Sequence, residues 1–211
     1  MKKLMLGLVL AMALVAPLAF AAAPTTSMSE VEMYIPKMKP MTNDFYSDGT
    51  QSRMEMYNGT GSGKTLTMIT INKGDYVYML TPASKTAMKM SAKAGQGQGP
   101  KKEEPPKCDK WEDCMKQNKE VTVTNRGKET WNGQEYTVYR STDNKTKDYV
   151  DYYVDSKGMV KRYLSYNAKG ELVAESRIIK METGKPLPAG SFDIPSDYKI
   201  MDMSNMPGMP H

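Results

Sequence analysis

Apolar and polar residues alternate along most of this chain with the period of two that is typical of β-strands. In residues 50–57, for example, Ser52, Met54 and Met56 fall on one side, and polar residues fill the positions between them. Turn sequences such as Asn72-Lys73-Gly74 and Asn132-Gly133 separate the runs. The pattern predicts ten or eleven antiparallel strands, at 27–35, 41–46, 50–57, 64–72, 75–80, 86–90, 120–125, 134–141, 149–155, 160–167 and 172–181.

Such regularly spaced strands predict a mainly β fold, in which a meander curls into a barrel or half-barrel. We expect one domain over residues 22–200, with an inserted loop or short helix at 91–119 and a flexible tail at 201–211.

The first 21 residues have the organisation of an export signal. Lys2 and Lys3 precede an apolar stretch at 4–18 that is short for a membrane span, and Ala19-Phe20-Ala21 fits a cleavage site. No Cys lies beside that site, so we expect no lipid anchor and a periplasmic location. The alternative is an uncleaved anchor helix.

Residues 91–107 are low in complexity and rich in Gly, Pro and Lys, so they can bury little. The following stretch, 108–119, predicts a short helix with Asp109 as its N-cap. Cys108, Trp111 and Met115 then fall near one face of the helix. This segment is either a lid over a cavity, with Trp111 and Met115 facing inward, or a surface loop tied down by Trp111.

Cys108 and Cys114 are the only cysteines of the chain. In an oxidising compartment such a pair favours a disulfide. Residues six apart in one continuous helix are separated by ~9 Å along its axis, beyond the ~7 Å over which Cα atoms can be bridged. A bridge therefore requires Cys108 to lie outside the regular helix, and free-thiol metal binding is the alternative.

Composition limits the chemistry that is available. The single His is the last residue, His211, which argues against a Ser-His-Asp or Cys-His site in the folded body and against a His-rich zinc site. The net charge is +5, with Lys and Glu interleaved, which is typical of a solvated surface and does not indicate a nucleic-acid partner. We expect no catalytic residues.

Methionine is unusually frequent, with 20 residues against three Phe. Many of the Met lie on consecutive predicted strands between 54 and 90. They are either filler in a core or the wall of an adaptable apolar surface, because Met is flexible and polarisable.

The C-terminal tail carries a second Met-rich pattern. Thioethers are soft ligands that select Cu(I), and an imidazole can complete such a site. The alternative is a disordered terminus that shares the Met bias of the chain. The candidate ligands are Met201, Met203, Met206, Met209 and His211.

Several positions resemble the periplasmic lipoprotein-carrier (LolA/LolB-like) superfamily, in particular an uncharacterised branch of it with a domain of unknown function. In the first half the resemblance is carried by Arg53, Met54, Ile69, Ile71, Gly74, Tyr78, Leu80, Pro82, Lys85 and Met90. In the second half it is carried by Gly127, Glu129, Trp131, Gly133, Tyr136, Tyr139, Val154, Asp155, Phe192, Asp193, Ile194, Pro195 and Tyr198. The resemblance implies a strongly curved antiparallel half-barrel whose concave face is covered by short helices or a loop.

The leading hypothesis is a non-enzymatic periplasmic protein that holds a lipid, an acyl chain or a lipidated partner in an apolar cavity. We expect a monomer that needs no cofactor and makes transient contact with a membrane. The predicted wall consists of Met54, Met56, Leu66, Met68, Tyr78, Leu80, Met88 and Met90. The alternative is a periplasmic Cu(I)-binding protein that uses the tail.

Overall fold

The structure, a computed structural model, describes residues 26–92 and 119–203. Two 3₁₀ turns, Gly61–Gly63 and Pro82–Ser84, lie between strands. None of the helical segments in these two ranges is long and apolar enough to cross a membrane. The strands are β1 (Ser27–Tyr34), β2 (Met41–Ser47), β3 (Ser52–Asn58), β4 (Thr65–Lys73), β5 (Tyr76–Thr81), β6 (Thr86–Ser91), β7 (Val121–Trp131), β8 (Gln134–Asp143), β9 (Tyr149–Val154), β10 (Val160–Tyr166), β11 (Leu172–Thr183) and β12 (Lys199–Asp202).

These strands form one hydrogen-bonded sheet in the order β12-β6-β5-β4-β3-β2-β1-β11-β10-β9-β8-β7. Neighbours are antiparallel from β2 to β6 and from β7 to β11. The strands β12 and β7 are the two ends of this order, so the sheet is open over the described ranges. The predicted mainly β fold is confirmed.

All eleven predicted strands are present, and two differences have a local cause. The strand predicted at 120–125 continues to Trp131, because a bulge at Asn125/Gly127 absorbs the Gly without ending the ladder. Gly127 has φ 94°, and its amide donates to Asn125 Oδ1. The prediction missed β12, whose four residues pair in parallel with β6 and include the first two residues of the expected tail.

The β2–β6 unit (26–32, 39–92 and 179–203) has its core on one side of its strands. Ile69, Ile71, Leu80 and Ala87 are buried there. The segment between β11 and β12 covers them with Phe192, Ile194 and Tyr198, and Leu66 and Tyr78 pack at the margin.

The β7–β11 unit (33–38 and 119–178) buries side chains on both sides of its strands. One cluster contains Tyr152, Val154 and Tyr163, and the other contains Tyr136, Val138, Tyr153 and Leu164. The strand β9 contributes to both clusters because its sequence, YVDYYV, has a nearly continuous apolar and aromatic run. The hairpin from β7 to β8 turns through Asn132 and Gly133, both with positive φ, as the Asn-Gly pair predicts.

The Leu80→Ala substitution should lower the free energy of unfolding by about 2–5 kcal/mol, because Leu80 is fully buried and truncation leaves a cavity. Met79→Ala, one residue away on the opposite side of β5, should cost less than about half as much, because Met79 is half exposed. Urea unfolding of both variants measures the difference. Equal losses would contradict the assignment of the core to the Leu80 side.

Candidate functional site

One side of the β2–β6 unit carries a set of methionines, which we call the Met face; Thr70 and Asn72 of β4 lie on the same side. The strand registers place Met56 opposite Met68, Met79 opposite Met88, and Phe45 opposite Met54. Directly opposed residues of adjacent strands share one face, with Cβ atoms about 5 Å apart. The Met face comprises Met54, Met56, Met68, Met79, Met88, Met90 and Met201, together with Phe45 and Val77.

An ion pair on the other side confirms this assignment at the sheet edge. Lys89 Nζ lies 2.8 Å from Asp202 Oδ2 and 4.0 Å from the centre of the Tyr76 ring. These three side chains therefore share the side opposite the Met face. Their neighbours Met88 and Met201, which pair across β6 and β12, must point the other way.

The side chains of the Met face are only partly buried. Its members on β3 to β6 are all half-buried, and Met201 is 41% exposed. By contrast, Ile71 and Leu80 on the opposite side are fully buried. The strands of this unit therefore have one side occupied by core and one side whose methionines keep part of their surface exposed.

The eight predicted wall residues are divided between these two sides. Met54, Met56, Met68, Met88 and Met90 lie together on the Met face. Leu66, Tyr78 and Leu80 instead pack in the core with Ile69 and Ile71. Leu66 reaches that side because the register shifts at Met56/Tyr57, and Tyr78 and Leu80 reach it by strict alternation on β5.

Sequence reasoning missed Phe45, Val77 and Met79 as members of the Met face. The available signal was the alternation on β5: if Tyr78 and Leu80 share one side, Val77 and Met79 must share the other. The alternation alone does not show which of the two sides is the core, because that depends on which side another segment of the chain covers.

Asn43 adds a polar group on the same side, opposite Met56. Its side chain is buried, and its Oδ1 accepts no hydrogen bond from the described residues. A buried acceptor without a donor costs about 1–3 kcal/mol, so this atom is a candidate acceptor for a ligand donor.

The core side of β2 and β3 holds a compact charged network. Lys64 Nζ lies 3.0 Å from both Glu30 Oε1 and Asp44 Oδ2, and 4.4 Å from the centre of the Tyr57 ring. Burial raises the pKa of the Asp44 carboxyl above its usual 3.8, although Lys64 opposes the change. Burial and the hydrogen bond to Glu55 raise the pKa of Tyr57.

A second charged network lies in the β7–β11 unit. Glu175 Oε1 accepts from Arg162 Nε at 2.8 Å and from Arg177 Nε at 2.7 Å. Burial favours the neutral carboxyl, but the two guanidinium groups outweigh it and hold the pKa of Glu175 below its usual 4.5. The Arg162 guanidinium lies 5.0 Å from the centres of the Trp131 and Tyr153 rings.

Both networks neutralise their carboxylates with cations, so they fit a structural role. A separate hollow in the β2–β6 unit has a volume of about 190 Å³, below the 300–1,000 Å³ of typical ligand pockets. It is lined by Gln51, Lys73, Leu187, Pro188, Gly190, Ser191, Phe192 and Asp193.

Several predictions fall outside the described residues. They are the signal peptide at 1–21, the disulfide between Cys108 and Cys114, the lid residues Trp111 and Met115, and the tail ligands Met206, Met209 and His211. Within the two described ranges, no group of three or more His, Cys, Asp or Glu could hold a metal ion.

No protein-family profile matches the chain, and no curated protein matches it. Among solved structures, an uncharacterised conserved protein from Thermus thermophilus matches with a TM-score of 0.54 at 10% identity, over 85% of this chain and 91% of that one. This likeness shows a shared fold.

Two further matches have lower TM-scores. A chain of the MucA/MucB complex of Pseudomonas aeruginosa matches at 0.48 with 12% identity, over 84% of this chain and 58% of that one. A LolA superfamily protein from Nitrosomonas europaea matches at 0.32 with 11% identity, over 82% of this chain and 92% of that one. A LolA superfamily structure is thus among the matches.

The two charged networks should give opposite pH dependences of stability. The lowered pKa of Glu175 contributes stability above pH 4.5 that is lost as pH falls through the folded-state pKa. The raised pKa of Asp44 contributes stability below pH 3.8 that is lost as pH rises through its folded-state pKa. Relative to the parent protein, Glu175→Gln should therefore lose stability as pH rises, and Asp44→Asn should gain it.

Urea unfolding between pH 3 and pH 7 measures both differences. The same sign of pH dependence for the two variants would contradict the assigned environments.

Proposed function

We propose that this protein is an exported, non-enzymatic binding protein whose Met face holds the acyl chain of a lipid or of a lipidated protein. The main evidence for this proposal is the contrast between the two sides of the β2–β6 unit. One side is filled by Ile71, Leu80 and their covering segment, whereas the other presents a set of half-buried methionines on four adjacent strands.

The chemistry of the Met face suits a flexible apolar chain. Methionine has three rotatable bonds and a polarisable sulfur, so a Met-lined wall adapts to many shapes. Burial contributes about 0.8 kcal/mol for each CH₂ group. Ten buried CH₂ groups therefore give roughly 8 kcal/mol, which corresponds to a dissociation constant of about 1 μM before the costs of association.

Other features support this proposal. The N-terminal 21 residues have the pattern of a signal peptide, which favours export to the periplasm. The resemblance to LolA/LolB-like proteins points to the same class of ligand, although a fold alone does not specify a function. A carrier of this kind acts as a monomer and meets the membrane only transiently.

A binding role without catalysis fits the charged groups. Four buried or half-buried carboxylates in the described ranges are held in ion pairs, which leaves them poorly placed for proton transfer. Glu55 is paired with Arg53, Asp44 with Lys64, Asp151 with Arg140, and Glu175 with Arg162 and Arg177.

The paired substitution Met56→Lys/Met68→Lys should abolish acyl binding. The two residues face each other across β3 and β4, and two ammonium groups would have to be desolvated beneath the chain. Binding is measured with a fluorescent fatty acid, and native ligands are identified by mass spectrometry of protein extracted from its source membranes.

Met38→Lys/Met159→Lys is the matched control. It adds the same charge at two exposed methionines outside the Met face, and we expect binding to be unchanged. A parent protein that is free of lipid and ignores the fatty acid would refute the proposal.

Asn43 predicts a preference among ligands. An N-acyl amide whose N–H reaches Asn43 Oδ1 should bind up to about tenfold more tightly than a fatty acid of equal length, because a hydrogen bond contributes about 0.5–1.5 kcal/mol. In Asn43→Leu this preference should vanish. Competition between the two ligands measures the preference. If Asn43→Leu retained the preference, Asn43 would not be its cause.

A further inference from the structure

We propose that the edge of the Met face formed by β5, β6 and β12 binds Cu(I), with the thioethers of Met79, Met88 and Met201 as ligands. The site shares these residues with the Met face, but the proposal does not require that the face binds an acyl chain. It relocates the metal site that the tail sequence suggests, from the last residues of the chain to the sheet edge.

The strand registers align the three sulfur-bearing side chains in one row. Met79 pairs with Met88 across β5 and β6, and Met88 pairs with Met201 across β6 and β12. Adjacent strands are ~4.8 Å apart. Metal–sulfur bonds of about 2.3 Å, as zinc forms, place two sulfurs on one metal at most about 4.6 Å apart. The spacing of the row therefore matches a thioether–metal–thioether bridge.

Two more thioethers flank this row. Met90 lies two residues beyond Met88 on the same side of β6. The amide of Met203 donates to the carbonyl of Lys89 at 2.8 Å, so the ladder of β12 continues to this residue. Alternation then gives Met203 the side of Met201. Up to five sulfur atoms are thus available within three strands.

The surroundings favour a soft ion over a hard one. The positions that β5, β6 and β12 give to this side carry Val77, two threonines (Thr81 and Thr86) and Lys199, in addition to the methionines. The nearest carboxylate on these strands, Asp202, is engaged with Lys89 on the opposite side. Thioethers without carboxylates select Cu(I) and offer little to Mg²⁺ or Ca²⁺.

Binding of Cu(I) would also stabilise the pairing of β12 with β6. The strand β12 has four residues, all exposed, and lies at the sheet edge in parallel with β6. An ion shared by Met88 and Met201 would cross-link the two strands. Cu(I) should therefore slow amide exchange at residues 199–203, which a site confined to the last eight residues would not do.

The experiment titrates the lipid-free protein with Cu(I) under ascorbate, in competition with bicinchoninate. The Met88→Leu/Met201→Leu variant keeps side-chain volume and the apolar surface but removes two sulfurs. We expect its affinity to fall by at least the 10- to 100-fold that even outer-shell changes cause at metal sites. A chain that ends at Met203 should bind as the full chain does.

Met38→Leu/Met159→Leu is the control, because both residues are exposed methionines outside the Met face, and we expect parental affinity. Circular dichroism checks that each variant is folded. No Cu(I) binding by the parent protein, loss of binding on removal of 204–211, or parental affinity in Met88→Leu/Met201→Leu would each overturn the proposal. The acyl-binding measurements use other substitutions, so either proposal can fail alone.

Discussion

A β-strand presents its side chains to two faces in turn, and the organisation of the β2–β6 unit follows from that constraint. Once Ile69, Ile71 and Leu80 are committed to a buried core, every neighbouring position on β4 and β5 must point away from it. Those positions include Met68 and Met79 as well as Thr70, so the same alternation that builds the core also creates the Met face. The Met side chains on β4 to β6 are half-buried, so part of their surface stays available for contact.

The core is completed by the segment that returns from β11 to β12. Phe192, Ile194 and Tyr198 cover the buried cluster. Complete burial of a large apolar side chain contributes about 1.5–3 kcal/mol, and these half-buried side chains contribute a part of that each. Polar contacts fix the position of the segment: Arg53 Nη1 donates to the carbonyl of Ser191, and Lys73 pairs with Asp193. The second pair is exposed and is worth at most about 1 kcal/mol, so packing dominates. The same segment leads into β12, which pairs with β6 and places Met201 opposite Met88.

The β7–β11 unit is organised differently, because it buries residues on both sides of its strands. Tyrosine suits this arrangement, since its ring can pack while its hydroxyl finds a partner, as Tyr153 does with Glu129 at 2.7 Å. Arginine plays a similar double role. Arg162 neutralises Glu175 and also packs on the Trp131 and Tyr153 rings, which keeps buried charge compensated within an aromatic cluster.

The sequence by itself determined the class of fold, the eleven longer strands and their turns, because alternation and turn residues act over a few neighbouring positions. It also identified Met54, Met56, Met68, Met88 and Met90 as a group. Only the tertiary structure decided which side of each strand the chain covers, and so placed Leu66, Tyr78 and Leu80 in the core and Met79 on the Met face. It also revealed β12, since a four-residue strand gains its stability from pairing with β6, more than 100 residues earlier, and carries too little local pattern to be recognised.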